Sequence, residues 1–283
     1  MTWGSGTAVA MTDEEFRLLR DLIQDYCGIY FEDSFKYLVE RRLQPRLPVL
    51  NLTSFRDYYR LLKYNPDAGR EFDEIVERVT TNETYFFREM YQLRAFVDEV
   101  VPEIVARRGT KERLRIWSAG CSTGEEPYTL AMLLDECPAV AGMSIEVFGN
   151  DISRKVLKIA RAGAYRENSF RQTDPRYIHK YFDKEGRESR LKESIRSRVT
   201  FGHLNLMDEA AMALIANVDV IFCRNVIIYF AADTRKTLIE MFHKKLRPGG
   251  YLLLGHSESL INASTAFELV PLKNDVVYRK ALG

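Results

Sequence analysis

Arg115-Ile-Trp-Ser-Ala-Gly-Cys-Ser-Thr-Gly-Glu-Glu-Pro-Tyr-Thr-Leu-Ala-Met-Leu-Leu134 decides the fold. Leu114, Ile116 and Trp117 read as a buried strand. Gly120 and Gly124 let the backbone turn sharply and leave room for a ligand. Pro127 fits the first turn of a helix, where its missing N–H leaves no bond unmade. Tyr128, Ala131 and Met132 give that helix an apolar face. A strand, a glycine loop and a helix in this order form the cradle that α/β folds place at the carboxyl edge of a parallel sheet. The loop is neither GxGxxG nor GxxxxGK[ST], so it implies neither a dinucleotide nor an NTP phosphate cradle. Ser122-x-x-Glu125 also fits a capping box, so Glu125 reads equally as a ligand residue or as the terminus of its own helix.

The strands that follow extend the pattern. Ser144-Ile-Glu-Val-Phe-Gly149 runs into Asn150-Asp151, with a helix expected from Ser153. An acidic residue at this point holds ribose hydroxyls in α/β nucleotide folds; Asp151 as a helix N-cap is the alternative. Val218-Asp-Val-Ile-Phe-Cys223 leads into Arg224-Asn225, and Tyr251-Leu-Leu-Leu-Gly255 follows the turn Arg247-Pro-Gly-Gly250. Strands alternating with helices predict a doubly wound sheet. Three strands then end in polar residues that converge on one edge.

At 283 residues and 46% hydrophobic content, the chain suffices for one large or two modest domains,. A net charge of +1 implies no global field toward nucleic acid,. No run of 18 apolar residues exists, so membrane insertion is not expected, and Met1–Ala10 lacks the features of a secretory signal. Cys27, Cys121, Cys137 and Cys223 show no CxxC spacing, which suits a reduced cytoplasmic protein,. His179, His203, His243 and His256 are scattered without metal-ligand spacing, so no metal is expected,.

Before residue 80 the chain reads as short helices. Residues 1–11 are an expected disordered lead-in. Thr12-Asp-Glu-Glu15 is a capping box leading into Phe16, Leu19, Ile23 and Tyr26, with Gly28 as the stop,. Asp33 opens a second helix through Leu43, bounded by Pro45 and Pro48. Thr53 or Ser54 starts a third, and Asp67 a fourth containing Phe72, Ile75, Val76 and Val79. An all-α domain over 12–80 follows, then a connecting segment and helix over 81–110, then an α/β domain over 111–283. The connection Thr80-Thr-Asn-Glu-Thr-Tyr-Phe-Phe-Arg88 crowds polar and aromatic residues together. Its plain reading is a loop whose aromatics plug a domain interface, followed by a helix over about Glu89–Arg108.

Thr81-Asn-Glu-Thr-Tyr-Phe-Phe-Arg-Glu89, Trp117-Ser-Ala-Gly-Cys-Ser-Thr-Gly-Glu-Glu-Pro-Tyr128, Asn150-Asp-Ile152, Phe222-Cys-Arg-Asn-Val-Ile-Ile-Tyr-Phe230 and Gly255-His-Ser-Glu258 together resemble the chemotaxis receptor methyltransferase family. The resemblance covers about Thr12 to Lys280. It implies an all-α N-terminal domain on a Rossmann-like class I methyltransferase domain with a small inserted β-subdomain, here over about 165–200. It further implies S-adenosylmethionine as cofactor, S-adenosylhomocysteine as product, and glutamate side chains of bacterial chemoreceptors as acceptors. By matching position, Asn82, Thr84 and Arg88 are cofactor contacts, with Arg88 also near the methyl donor and the incoming carboxylate. Glu125 takes the methionyl ammonium, Asp151 the ribose hydroxyls, and Asn205-Leu206 lie near the adenine. Arg224-Asn225 line the methionyl side, and Tyr229 lies close to the transferred methyl, unless its neighbours Ile227, Ile228 and Phe230 mark it as core.

A glutamate acceptor is already ionised near neutral pH, since its unperturbed pKa is about 4.3. It needs no general base, and the chain offers no obvious Ser/His/Asp or Cys/His constellation. The enzyme need only align oxygen, methyl carbon and sulfur and exclude water. Gly120-Cys121 stands where some relatives carry alanines. The part between Phe182 and Arg198 is short for gripping a receptor tether peptide, so methylation without a tether is expected. Arg42 and Arg46, neighbours at i,i+4 on the second helix, are candidates to dock an acidic, helical receptor domain; a solvated face is the alternative. A monomer is expected. Two rival classes are a nicotinamide oxidoreductase, which the loop disfavours, and a non-catalytic receptor-binding or regulatory module of the same fold.

Overall fold

Thr12 starts the first helix by the reciprocal device that its sequence announces. Its hydroxyl accepts the Glu15 N–H (3.2 Å), while Glu15 Oε2 accepts the Thr12 N–H (2.8 Å),. This helix, α1, spans Asp13–Cys27 and stops at Gly28, whose φ of 80° is left-handed,. The computed structural model describes residues 9–260 and 264–282, so the lead-in up to residue 8 lies outside the described residues. Met11 departs from the expected disorder: it is buried, and its N–H donates to Glu40 (2.9 Å).

A 3-10 turn at Asp33–Phe35 leads into α2 (Lys36–Leu43), then a short α3 (Arg46–Val49). Ser54 caps α4 (Phe55–Tyr64) by accepting the Asp57 N–H. Helix α5 spans Gly69–Val79; Asp67 lies in the turn before it and is not its cap. Phe16, Leu19, Val39, Leu43, Phe55, Ile75 and Val76 are almost fully buried and supply the apolar interior of this first unit. The unit runs to Thr81 and also takes in Tyr229–Ala231. There Phe230 bridges Ile29 in antiparallel fashion, and the Tyr229 carbonyl accepts the Tyr30 N–H (2.9 Å).

Within this unit Arg46 is not the free docking cation that its helical position suggested. Its Nε and Nη2 donate to Glu71 Oε1 (2.8 Å) and Oε2 (2.6 Å), and its side chain is only 11% exposed. The Tyr58 hydroxyl donates to the same carboxylate (2.6 Å), and burial with Glu71 beside it holds the phenol well above its usual pKa. Proline-bounded α3 turns Arg46 inward toward α5, which the i,i+4 spacing from Arg42 does not reveal. Arg42, half-buried, donates to the Val79 carbonyl, whereas Arg41 is exposed.

The second unit comprises Asn82–Ile228 and the chain from Ala232 onward. A continuous helical stretch opens it: α6 (Met90–Ala95), a π-turn (Phe96–Val100) and α7 (Val101–Arg108). Strand β1 (Leu114–Ala119), α8 (Glu125–Asp135), β2 (Ile145–Asp151) and α9 (Arg154–Ala162) follow as the sequence indicates. The insert holds β3 (Ala164–Tyr165), α10 (Pro175–Tyr181), β4 (Phe182–Glu185) and β5 (Glu188–Leu191), in a three-stranded sheet ordered β3-β5-β4. The rest of the large sheet is β6 (Val199–His203), β7 (Val218–Cys223), β8 (Leu246–Leu254), β9 (Phe267–Pro271) and β10 (Val276–Lys280).

The large sheet is ordered β6-β2-β1-β7-β8-β10-β9, parallel from β6 to β8 and antiparallel at β10 and β9. Its register aligns the carboxyl ends that matter: Ala119 lies beside Asn150, Asp151 beside His203, and Cys223 beside Leu254. Aromatics of the connecting segment pack within this unit. Phe86 stacks on Phe170 (5.2 Å between centroids) and meets Tyr165 and Phe182 edge-on; Phe87 packs on Tyr177. Among the described residues no helix is long and apolar enough to cross a membrane.

Glu71→Ala leaves the Arg46 guanidinium and the Tyr58 hydroxyl buried without their shared acceptor. The expected cost is about 1–3 kcal/mol, because two buried donors lose their acceptor while the guanidinium keeps its second partner, Glu74 (3.3 Å),. Chemical denaturation of the purified chain, followed through the first unit's transition, measures it; a loss below about 1 kcal/mol would place the pair among solvent-screened surface contacts.

Candidate functional site

The turn between β1 and α8 is built from residues that tolerate left-handed backbone. Gly120 (φ 75°), Ser122 (φ 50°) and Gly124 (φ 92°) occur within five positions. A Cβ on Gly120 would lie 2.5 Å from Val226 Cγ2, and one on Gly124 would lie 2.9 Å from the Ala160 Cβ. The two glycines are therefore required by close approach as well as by φ. The loop is pinned from outside: the Cys121 N–H donates to the Asn150 carbonyl (2.8 Å), and the Tyr165 hydroxyl to the Thr123 carbonyl (2.8 Å).

The capping box that Ser122-x-x-Glu125 allowed does not form. Gly124 is the N-cap residue of α8, and Ser122 instead donates its backbone N–H to Asp151 (2.8 Å). Glu125, the first residue of α8, is 2% exposed. Its oxygens accept the Thr123 hydroxyl (2.6 Å) and the Ser169 hydroxyl (3.0 Å). Among the described residues no basic side chain forms an ion pair with it. Burial lifts its pKa above the usual carboxylate range, against the opposing effect of those hydroxyls and its own helix N–H,. Glu125 is thus a buried carboxylate held by two hydroxyls at a helix N-terminus.

Asp151 ends β2 and is 7% exposed. It is not the cap of α9; Ser153 is, through the Val156 N–H. Asp151 accepts N–H groups from Ser122 (2.8 Å) and Ser153 (2.9 Å), so the carboxylate ties the glycine loop to the next strand. Beside it, Asn150 is fully buried and accepts the Trp117 indole N–H (2.6 Å). After β6, Asn205 accepts the Met207 N–H (3.0 Å) and Leu206 is buried. The glycine cradle, the Glu125 carboxylate and the Asp151 carboxylate thus come together at one sheet edge.

Other expected site residues hold that edge together. Arg224, 7% exposed, donates through Nη1 to Glu126 (3.1 Å) and through Nη2 to Glu89 (3.0 Å) and the Arg88 carbonyl (2.7 Å). Both terminal nitrogens are engaged in this clamp, and its Nε is buried without a hydrogen-bond partner among the described residues. The clamped backbone is bent, with Phe87 (φ 60°) and Glu89 (φ 56°) on either side of Arg88 in left-handed conformations, a strain that such clusters of contacts sustain. Arg88 itself is half-buried, donates to the Glu83 carbonyl (3.2 Å) and lies 5.7 Å from the Tyr85 ring centroid. Asn82 accepts the Ser122 hydroxyl at its carbonyl (3.4 Å), and Thr84 is half-buried. Asn225 has φ 60°, and its buried Oδ1 has no hydrogen-bond partner. Tyr229 belongs to the first unit and is 38% exposed, so it is not core.

Three contributors were not assigned from sequence. Ser169 and Thr123 carry no pattern that announces a bond to Glu125. Glu258 does follow a strand and a glycine, in Gly255-His-Ser-Glu258, and accepts four backbone N–H groups. Among the described residues no group of His, Cys, Asp or Glu is placed to hold a metal ion.

Comparison with known proteins places the chain among methyltransferases. The family model described as "CheR methyltransferase, SAM binding domain" matches residues 82–276, and "CheR methyltransferase, all-alpha domain" matches 14–80. The chain is similar to Chemotaxis protein methyltransferase 2 of Vibrio cholerae, with 37% identity covering 96% of this chain and 94% of the relative. It is 34% identical to Chemotaxis protein methyltransferase 1 of Pseudomonas aeruginosa, covering 96% and 99% respectively. The Escherichia coli chemotaxis protein methyltransferase is 36% identical over 92% of this chain and 90% of that one.

Gly120→Ala is expected to destabilise the second unit by about 1–3 kcal/mol, combining left-handed strain with the clash on Val226. In a Val226→Ala background the clash is removed and only the strain remains, so the penalty should fall by roughly half. Thermal melts of the four proteins of this cycle read it; equal penalties in both backgrounds would mean that the two loops do not press on each other.

Proposed function

This chain belongs to the CheR methyltransferase family, and on that premise we propose that it transfers the methyl group of S-adenosylmethionine to glutamate side chains of bacterial chemoreceptors in the cytoplasm. The observation that carries the proposal is Glu125: a carboxylate 2% exposed, bonded to two hydroxyls and facing a glycine loop whose other wall is Asp151. That pairing suits a ligand with an ammonium at one end and a ribose at the other. Glu125 would hold the methionyl ammonium, Asp151 the ribose hydroxyls, and Asn205 and Leu206 the adenine. When bound, S-adenosylmethionine supplies a methyl group already activated by its sulfonium.

The remaining work falls to the chain as alignment. A glutamate acceptor arrives ionised, with an unperturbed pKa of about 4.3, so no side chain need take its proton. Charge is neutralised in the transition state, so a strong ion pair to the attacking oxygen would slow the step. Arg88, held by the strained turn between Phe87 and Glu89, orients the acceptor without a close ion pair to its attacking oxygen and excludes water,. Partner docking by the helical unit rests on Arg42 and the exposed Arg41 rather than on Arg46, which Glu71 occupies.

The direct test incubates the purified chain with methyl-labelled donor and a soluble cytoplasmic fragment of a chemoreceptor. Label on glutamate, released as methanol by mild base, supports the proposal. Label stable to base, or none on any receptor fragment, refutes it in favour of another acceptor or a non-catalytic module.

Cofactor binding should be proton-linked. Burial raises the Glu125 pKa in the free protein, and an ammonium beside it lowers it again, so binding expels a proton,. The affinity for S-adenosylhomocysteine therefore falls as pH drops through the free-protein pKa, a window above the ordinary carboxylate value. For folding alone the sign is opposite, because the neutral form is favoured and stability is lost as pH rises through the raised pKa. Calorimetry across this range should show the slope in the native chain and a weaker, flat profile in Glu125→Gln. A slope unchanged by the substitution assigns the proton to another group.

Arg88→Ala should lower turnover by about tenfold or more while changing S-adenosylhomocysteine affinity only severalfold, since orientation acts on rate. Equal losses in both would make Arg88 a plain binding residue.

A further inference from the structure

Glu258 stands three residues beyond Gly255, the residue that follows β8, and the proposed methyl transfer assigns it no role. Its N–H turns back to the Gly255 carbonyl (2.8 Å), which swings the side chain under the neighbouring loop. Oε2 then accepts the N–H groups of Asn225 (2.7 Å) and Gly255 (2.7 Å). Oε1 accepts those of Val226 (2.9 Å) and Ile228 (3.2 Å). One carboxylate thereby satisfies four backbone donors, three of them from the loop that leaves β7. Those donors have no strand partner, because β7 ends at Cys223,.

We propose that Glu258 is a positioning residue for methyl transfer, fixing the Asn225–Ile228 loop so that its side chains meet the cofactor; this rests on the cofactor reading of the same sheet edge. The parallel pairing of Cys223 with Leu254 sets the two following loops side by side, so one side chain can reach both. Asn225 is held at φ 60°, a conformation that a non-glycine residue keeps only when its surroundings enforce it,. Among the described residues its buried Oδ1 has no hydrogen-bond partner, leaving an acceptor that suits a ligand donor. The next residue, Val226, presses on Gly120, where even a methyl would lie 2.5 Å from Cγ2. Glu258 therefore sets the 225–228 loop and, through Val226, the glycine loop as well. Burial raises the carboxyl pKa, and the four N–H groups oppose that rise by favouring the charged form,.

A glutamine cannot take this role. It offers one carbonyl oxygen, and its amide nitrogen would face two N–H donors whichever way it sits. Gly255 is equally constrained: a Cβ there would lie 2.8 Å from Glu258 Oε2 and 2.9 Å from the Asn225 nitrogen.

The experiment compares native protein with Glu258→Gln. Hydrogen exchange of the ligand-free protein should be about tenfold faster or more at the Asn225, Val226 and Ile228 amides, with the β7 amides unchanged. S-adenosylhomocysteine affinity by calorimetry should weaken about tenfold, and kcat at saturating donor should fall by at least as much with the acceptor KM unchanged. Gly255→Ala, which wedges the same contact and leaves the carboxylate in place, should reproduce all three effects, and it decides the matter if Glu258→Gln does not fold. Unchanged loop exchange and product affinity would overturn the proposal, as would a drop in melting temperature with kcat intact at saturating donor. Exchange and product affinity require no acceptor, so they judge Glu258 even if the native chain methylates no receptor.

Discussion

Glu125 is a carboxylate that the fold takes out of water and leaves with two hydroxyls for company. That placement is unfavourable by itself, as its raised pKa records,. The structure around it is arranged to sustain it. Its position at the start of α8 gives it the positive end of a helix dipole,. Gly120 and Gly124 admit the tight turn that brings it to the sheet edge. The insert reaches in with Ser169, whose hydroxyl bonds Glu125 and whose carbonyl accepts the Phe86 N–H (2.9 Å). A ligand cation would complete what the hydroxyls begin.

Carboxylates also organise the rest of this edge, each in a different currency. Asp151 receives backbone N–H groups from two loops and links β1 to β2. Glu258 receives four and links β7 to β8. Glu126 and Glu89 receive Arg224, so the end of β7 grips both the start of α8 and the segment around Arg88. The loops that follow these parallel strands make few bonds among themselves. Their conformations are set by side chains one strand away, and strain at Ser122, Asn225, Phe87 and Glu89 is distributed where those side chains hold,.

Much of this was legible in the sequence because it is local. Strands β1, β2, β7 and β8, the capping box at Thr12 and the glycine loop each declare themselves within a dozen residues. The short edge strands β6 and β9 did not, since edge strands carry a weaker alternation, nor did β10, only five residues long between β8 and β9,. Arg46 misled for the same reason that Glu258 was passed over. Whether an arginine is a free cation or half of a buried pair depends on Glu71 and Tyr58, which are distant in the chain. Whether a glutamate is solvated or gathers four amides depends on strand order. The glycine loop and the end of the second strand raised Glu125 and Asp151 as candidates and the resemblance gave them roles; only the fold reveals that Ser169 bonds one and Ser122 the other.

The measurement that bears most directly on this account is a structure of the chain with S-adenosylhomocysteine bound. The account predicts the ligand ammonium within hydrogen-bond distance of Glu125, the ribose hydroxyls on Asp151, and the Asn225 amide turned to the ligand with its loop still seated on Glu258. A ligand bound elsewhere, or one that leaves Glu125 bonded to Thr123 and Ser169 alone, would contradict it.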